Sequence, residues 1–294
     1  MPIDLSGRTA IITGAGAGLG RAHALLLARQ GANVVVNDIP QSLDKAQAVA
    51  AEISAAGGSA IALTASVTDE AAVAAMTAEA IERFGKVDIL VNNAGILRDK
   101  SFAKITLADW RDVIDVHLTG AYLCTHALWD HMRANNYGRI VMTTSSSGLY
   151  GNFGQANYGA AKAGMIGLMN VLHLEGAKTN IRVNVLAPTA ATAMTQDLLP
   201  PETAALLTPD SVTPGLLFLV SENAPSRVIL GAGGGVFAVT HIEETPGVYF
   251  QQNERTPETI AARFAEISDR TTAMPQANAF AQTFKFATMA AKGK

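Results

Sequence analysis

One tyrosine and one lysine have the spacing that most directly predicts chemistry, because Tyr158 and Lys162 lie four positions apart. On a helix this spacing places both side chains on one face, one turn apart. At about 4 Å and an effective dielectric near 20, an ammonium attracts a phenolate by roughly 4 kcal/mol. This corresponds to about 3 pK units, so we expect the phenol pKa to fall from about 10 toward neutrality. Such a phenolate could take the proton of an alcohol while a hydride leaves the adjoining carbon.

A serine is predicted to lie beside this pair. Ser145 lies at the end of the predicted strand Arg139 to Thr143, two positions after Thr143, and precedes Tyr158 by 13 residues. In doubly wound folds, ligands bind at the carboxyl edge of the sheet, where such a strand ends. We therefore expect the Ser145 hydroxyl to bind the substrate oxygen during proton transfer. Ser146 and Ser147 stay open as neighbouring alternatives.

The first predicted strand runs directly into a glycine-rich turn, TGAGAGLG at 13–20, and then into a helix. Gly14 permits a tight turn, Gly18 lets the backbone approach a pyrophosphate, and Gly20 allows the helix to pack closely on the strand. The helix start adds unpaired N–H groups and a positive dipole end. The sequence therefore predicts a dinucleotide site whose turn residues are Gly14, Gly16, Gly18, Leu19 and Gly20.

The identity of the dinucleotide is predicted by Asp38, which ends the second strand. A carboxylate at this point can accept hydrogen bonds from the adenosine ribose and repels a 2′-phosphate. Ala17, Ile39 and Pro40 offer no basic side chain to bind such a phosphate. We predict NAD rather than NADP, with the alternative that Asp38 only ends a solvent-exposed turn.

These residues must be positioned by alternating strands and helices. Apolar runs without alternation predict seven strands, at Thr9 to Thr13, Asn33 to Asn37, Ala60 to Thr64, Ile89 to Asn92, Arg139 to Thr143, Ile181 to Leu186 and Arg227 to Leu230. Helical patterns occupy 19–30, 42–56, 69–84, 107–134, 157–178 and 209–221. This alternation predicts an α/β fold, a doubly wound (Rossmann) seven-stranded parallel sheet with helices on both faces.

The pattern changes after Gly235. We predict a catalytic domain over 1–240 and an extension over 241–294 that docks on it. Two short apolar stretches, Val236 to Thr240 and Val248 to Phe250, precede an amphipathic helix over 256–269; the final 25 residues lack a clear period.

Composition excludes several classes of protein. The 294 residues carry 22 Lys+Arg and 25 Asp+Glu, a net charge of −3, which does not fit a nucleic-acid binder. The single cysteine, Cys124, excludes an intramolecular disulfide and a Cys-rich zinc site, and we predict no metal. The chain shows no apolar run long enough for a membrane span and no signal peptide, so we predict a cytoplasmic protein.

The motifs together resemble the short-chain dehydrogenase/reductase family, in TGAGAGLG, NNAG at 92–95, Ser145 and YGAAK at 158–162. The resemblance implies that Tyr158 is the general base or acid, that Lys162 lowers its pKa and holds the nicotinamide ribose, and that Ser145 orients the carbonyl. It also implies cofactor contacts at Ser66, Val67, Asn93, Ala94, Gly95, Pro188 and Thr192. Where many members have an asparagine that holds a relay water, this chain has His117, which could support a similar relay or pack inside a helix.

Longer segments, including VNNAGILRDKSFAKI at 91–105, resemble the family branch of (3R)-hydroxyacyl-CoA dehydrogenases, some of which act on 17β-hydroxysteroids. The resemblance implies NAD-dependent oxidation of a 3-hydroxyacyl-CoA to its 3-ketoacyl-CoA. A 17β-hydroxysteroid or another cyclic secondary alcohol is the alternative, and a non-catalytic dinucleotide-binding protein is a remote one.

Substrate contacts are predicted from the loops around the site, at Ser145, Tyr150, Phe153, Gln155 and Met194. Arg98, Lys100 and Lys104 are candidates to bind the phosphates of CoA, with an ordinary solvated surface as the alternative. The resemblance also implies a homodimer or homotetramer that uses the helices over 107–134 and 157–178.

Overall fold

The computed structural model describes residues 2–192 and 200–293. Within them, eight strands form one sheet in the order β3-β2-β1-β4-β5-β6-β7-β8. The strands are β1 Thr9–Ile12, β2 Asn33–Asp38, β3 Ser59–Thr64, β4 Ile89–Asn92, β5 Gly138–Thr143, β6 Ile181–Pro188, β7 Ile229–Gly233 and β8 Val236–Thr240. Strands β1 to β7 pair in parallel, so the predicted doubly wound fold is confirmed.

Helices connect these strands. They are α1 Gly18–Arg29, α2 Leu43–Ala55, α3 Glu70–Phe84, α4 Leu107–Ile114, α5 Gly120–Ala134, α6 Ser146–Tyr150, α7 Ala156–Gly176, α8 Pro201–Leu206, α9 Thr213–Val220, α10 Pro257–Ala262, α11 Phe264–Ile267 and α12 Ala279–Lys292. Successive strand residues point to opposite faces, so Ile12 packs with α1, α2 and α9 while Ile11 packs with α3, α5 and α7. Burial on both faces explains why the strands lack polar alternation.

The sheet has one strand more than the seven that the sequence predicts. Only two residues, Gly234 and Gly235, separate β7 from β8, and so short a connection requires antiparallel neighbours. Both glycines have positive φ, 58° and 79°, as a tight hairpin turn of this kind requires. The sequence predicts only a short apolar stretch at Val236 to Thr240, because a glycine pair does not by itself show that the chain turns back onto the same sheet.

The long helix predicted over 107–134 is interrupted. It consists of α4, a π-helical segment Asp115–Thr119 and α5, and His117 lies in the π segment. A capping box between Thr106 and Asp109 begins α4. Single-turn π segments often occur at functional sites because the extra residue redirects the side chains around it.

The chain divides into two units, Met1–Val239 and Thr240–Lys294. In the second unit, the helix predicted over 256–269 is divided into α10 and α11. Helix α12 lies within the final 25 residues, where the sequence shows no clear hydrophobic period. The Asn278 side chain caps α12, and Lys285 Nζ donates to Glu244 Oε1 at 2.7 Å. That this unit docks on the first stays a prediction.

Among the described residues, no helix is long and apolar enough to cross a membrane. No group of three or more His, Cys, Asp or Glu side chains there could hold a metal ion. Cys124 is fully buried, and burial raises the pKa of its thiol to about 12.

A buried histidine in α1 predicts sensitivity to acid. His23 is 0% exposed, neither ring nitrogen has a hydrogen-bond partner among the described residues, and burial lowers its pKa to about 3. The unfolded chain binds this proton near pH 6.5, so stability is full above that pH and falls as the pH drops toward 3. Below pH 6.5 this proton lowers the unfolding free energy of the wild type by about 1.4 kcal/mol for each pH unit. We expect this contribution to be absent in His23→Leu. Urea unfolding at pH 5 and pH 7 measures this, and an unchanged dependence in the variant would contradict it.

Candidate active site

The cleft lies at the carboxyl edge of the sheet. It is a cavity of about 470 Å³, a size typical of small-molecule sites. Fifteen of the predicted residues line it, namely Gly14, Gly18, Leu19, Gly20, Asp38, Asn93, Ala94, Gly95, His117, Ser145, Gln155, Tyr158, Lys162, Pro188 and Thr192. The structure therefore brings the glycine turn, Asp38 and the tyrosine–lysine pair into one site.

Several predicted residues do not line this cleft. Ser66 is hydrogen-bonded to Thr68, and the Val67 side chain is buried against Gly120. Tyr150 is 73% exposed at the end of the short helix α6, and Phe153 is 90% exposed on the loop that follows it. Met194 lies outside the described residues.

Asp38 is held by the glycine turn. The Gly16 N–H donates to Asp38 Oδ2 at 2.9 Å, and the Ile39 N–H donates to Oδ1 at 2.8 Å. A Cβ at Gly16 would lie 2.8 Å from the same Oδ2, so a larger residue would displace the carboxylate. Gly16 itself does not line the cleft but positions the group predicted to bind ribose.

The glycine turn fits a dinucleotide because it packs closely on its neighbours and leaves the N–H groups at the start of α1 uncapped. A Cβ at Gly20 would lie 2.3 Å from Gly14 O, and one at Gly14 would lie 2.9 Å from Ala94 Cα. No described side chain caps the start of α1, so its first N–H groups can bind a phosphate. Asn93 Nδ2 donates to Thr13 O at 2.9 Å and joins the end of β4 to the turn.

Three side chains meet on the other side of the cleft. Ser145 caps α6, where its hydroxyl accepts the Ser147 N–H at 3.2 Å, and it lies close enough to Tyr158 of α7 to lower the pKa of the phenol. Lys162 Nζ lies 5.4 Å from the centre of the Tyr158 ring and donates to Thr143 O at 2.5 Å. Strand β5 ends at Thr143, so one strand end positions the serine and the lysine together.

The predicted lowering of the tyrosine pKa is wrong for this structure. Burial raises the pKa of Tyr158, the hydrogen bond with Ser145 lowers it, and the charge of Asp99 raises it. Burial also lowers the pKa of Lys162 to about 7. Burial disfavours the charged form of each group, and it is the largest cause of both shifts.

His117 contacts the tyrosine from the π segment. Its ring meets the Tyr158 ring edge-on, with centroids 5.1 Å apart and an interplanar angle of 86°. His117 Nε2 lies 2.8 Å from Ile96 O and 3.1 Å from Ile96 N. Burial lowers the pKa of His117 to about 3, so the ring is neutral at pH 7. The ring both packs in the helix and lines the cleft, and a part in proton relay stays a prediction.

The basic residues proposed for CoA phosphates are paired with carboxylates. Lys100 Nζ lies 2.7 Å from Asp109, and Arg98 lies 3.8 Å from Asp112. The alternative of a solvated, ion-paired surface therefore fits these two residues better. Ser147, Asn152 and Thr189 also line the cleft, and of these only Ser147 was named from the sequence. The others lacked a signal because their positions depend on loop conformation.

Comparison with known proteins identifies the family. A family model described as short chain dehydrogenase matches residues 8–203. The chain belongs to this family. A short-chain type dehydrogenase/reductase of Mycobacterium tuberculosis is 47% identical over 270 residues, which cover 89% of this chain and 94% of that protein. A 3-oxoacyl-[acyl-carrier-protein] reductase of Synechocystis is 46% identical over 195 residues, 66% of this chain and 78% of the reductase.

A multifunctional enzyme is also similar. The structure of full-length peroxisomal multifunctional enzyme type 2 from Drosophila melanogaster matches with a TM-score of 0.83 and 37% identity. The match covers 99% of this chain and 50% of that one, so this short-chain dehydrogenase/reductase spans half the length of the fly enzyme. The predicted family and the predicted oxidoreductase class are confirmed.

Proposed function

We propose that this oxidoreductase uses NAD to oxidise a 3-hydroxyacyl-CoA to the 3-ketoacyl-CoA. The observation that carries the proposal is the convergence of Ser145, Tyr158 and Lys162 on a cleft that also holds Asp38 and the glycine turn. The acyl thioester is supported by the resemblance of 91–105 to the hydroxyacyl-CoA dehydrogenase branch and by the similar 3-oxoacyl-[acyl-carrier-protein] reductase.

Each of these residues has a separate role in alcohol oxidation. The glycine turn and Asp38 would hold the dinucleotide, which supplies a hydride acceptor when bound. Ser145 hydrogen-bonds the substrate oxygen, and Tyr158 takes the hydroxyl proton as the carbon loses its hydride. Lys162 would support the phenolate and would hold the nicotinamide ribose when the dinucleotide is bound. In the reverse direction the protonated Tyr158 donates to the ketone oxygen, which suits a phenol whose pKa burial raises.

Initial rates test the substrate class. We expect NADH formation to be fastest with 3-hydroxybutyryl-CoA and to fall as salt increases, because CoA carries phosphates. A 17β-hydroxysteroid would show little salt dependence in an apolar cleft. Faster turnover of the steroid would overturn the substrate proposal, and activity with NADP alone would overturn the cofactor proposal.

Removing the charge of Asp38 is expected to relax the cofactor preference. Asp38→Asn keeps an oxygen that can accept from the Gly16 N–H at 2.9 Å but removes the repulsion of a 2′-phosphate. We expect the ratio of kcat/KM for NAD over NADP to fall by about tenfold or more, equivalent to about 1.4 kcal/mol. Asp44→Asn, on the exposed surface of α2, is the matched control. An unchanged ratio in Asp38→Asn would show that Asp38 does not select the cofactor.

We propose that the chain assembles as a homodimer or homotetramer through α5 and α7. Val171 and Leu174 of α7 are 51% and 47% exposed, on the same face as the small residues Ala163 and Gly167. We expect sedimentation at micromolar concentration to give a dimer or tetramer, and the double variant Val171→Glu/Leu174→Glu to give monomer. A wild-type species of 30.6 kDa would contradict the proposal.

A further inference from the structure

Gln155 lines the cleft, but its side chain is bound to the protein. It is 8% exposed, and its Nε2 donates to Asp99 Oδ2 at 2.7 Å. Its Oε1 accepts from Ser147 Oγ at 2.7 Å and from Asn152 Nδ2 at 3.1 Å. A glutamine amide has two donors and two acceptor positions, so three of the four are used within the chain. The amide is therefore poorly suited to the substrate contact that the sequence predicts for it.

The partners of Gln155 belong to the segments that carry the reacting side chains. Asp99 lies on the loop that follows β4, and Ser147 lies in α6, which Ser145 caps. Gln155 is itself the N-cap residue of α7, and its carbonyl accepts the Gly159 N–H at 2.7 Å. One buried amide thus joins the β4 loop, α6 and the start of α7, the helix that carries Tyr158.

A backbone contact reinforces the same junction. The Lys100 N–H donates to Gly154 O at 2.9 Å, next to the Asp99–Gln155 bond. On the other side, Asn157 is fully buried, and its Nδ2 donates to Asp109 O at 3.1 Å. The backbone is therefore fixed on both sides of Gln155, and its side chain connects Ser147 of α6 to Asp99.

We propose that Gln155 is a positioning residue that holds Ser145 and Tyr158 in register by bonding Asp99 to Ser147. The inference rests on the proposed roles of Ser145 and Tyr158 and does not depend on which secondary alcohol is the substrate. Misplacing reacting groups by about 1 Å can cost about 100-fold in rate, so loss of this bridge should lower kcat more than substrate affinity. The Asp99 carboxylate also lies close enough to raise the pKa of Tyr158, so the same bridge fixes a charge that acts on the phenol.

A donor–acceptor exchange tests this bridge. Gln155→Glu keeps the size of the side chain and an oxygen for Ser147 and Asn152, but places a carboxylate against Asp99 Oδ2. The double variant Asp99→Asn/Gln155→Glu restores one donor and one acceptor with the direction reversed and the net charge unchanged. Gln47→Glu, on the exposed surface of α2, is the control for an added charge.

We expect Gln155→Glu to lower kcat about tenfold or more with the NAD dissociation constant within about twofold, and the double variant to recover most of that loss. Thermal midpoints measured in parallel separate a local change from loss of the fold. The bridge proposal is overturned if Gln155→Glu keeps the wild-type kcat, or if the double variant recovers nothing.

The rates are measured with the best substrate of a panel of secondary alcohols. A failure with 3-hydroxyacyl-CoA alone therefore overturns the proposed function and leaves this test intact.

Discussion

Replacing Tyr158 by phenylalanine is expected to lower kcat by about 10²- to 10⁴-fold, the usual contribution of a positioned acid or base. Phenylalanine keeps the ring against His117, which lies 5.1 Å away, and removes only the hydroxyl that exchanges the proton. NAD affinity, measured by fluorescence titration, should stay within about twofold because the glycine turn and Asp38 are unchanged.

The same substitution should change the pH profile. Burial raises the pKa of Tyr158, so wild-type oxidation, which needs the deprotonated phenol, should increase as the pH rises into the alkaline range. We expect this increase to be absent in Tyr158→Phe. Tyr122→Phe, at a tyrosine that is 48% exposed, is the control and should keep the wild-type profile. If Tyr158→Phe keeps the wild-type turnover, Tyr158 is not the proton acceptor.

The second large effect is expected at Gly95, which leaves space for His117. A Cβ at Gly95 would lie 2.3 Å from His117 Cε1, so in Gly95→Ala the ring must leave Ile96 and Tyr158. Overpacking of this kind costs about 1–3 kcal/mol of unfolding free energy. We expect kcat to fall about 100-fold as Tyr158 loses its support.

A double variant separates this contact from other effects of the alanine. Asparagine is shorter than histidine, and its amide can still bond the Ile96 N–H or carbonyl. We therefore expect Gly95→Ala/His117→Asn to recover stability in urea unfolding relative to Gly95→Ala. If the double variant is less stable than either single variant, the contact between Gly95 and His117 is not the cause.

The site was predictable from the sequence where its geometry is local. The four-residue spacing of Tyr158 and Lys162 fixes one helix face, and the glycine turn and Asp38 follow strand ends that apolar runs define. Ser145 was predictable for the same reason, because it follows a strand that ends at the carboxyl edge.

Other features depend on tertiary contacts that no local pattern contains. The direction of the Tyr158 pKa reflects how deeply α7 is buried, which spacing does not show. The partners of Gln155 come from three segments and require the loop conformations. Strand β8 was not predicted because its pairing depends on a glycine hairpin. Helix α12 was not predicted because its large apolar side chains are exposed.

The most direct test of the account follows the hydride itself. The enzyme is incubated with unlabelled NAD and with 3-hydroxybutyryl-CoA that carries deuterium on its hydroxyl-bearing carbon. The mass of the reduced cofactor is then measured by mass spectrometry. We predict one deuterium in each NADH formed and a slower rate than with the unlabelled thioester. Unlabelled NADH, or no NADH from the thioester when another alcohol is oxidised, would contradict the central claim.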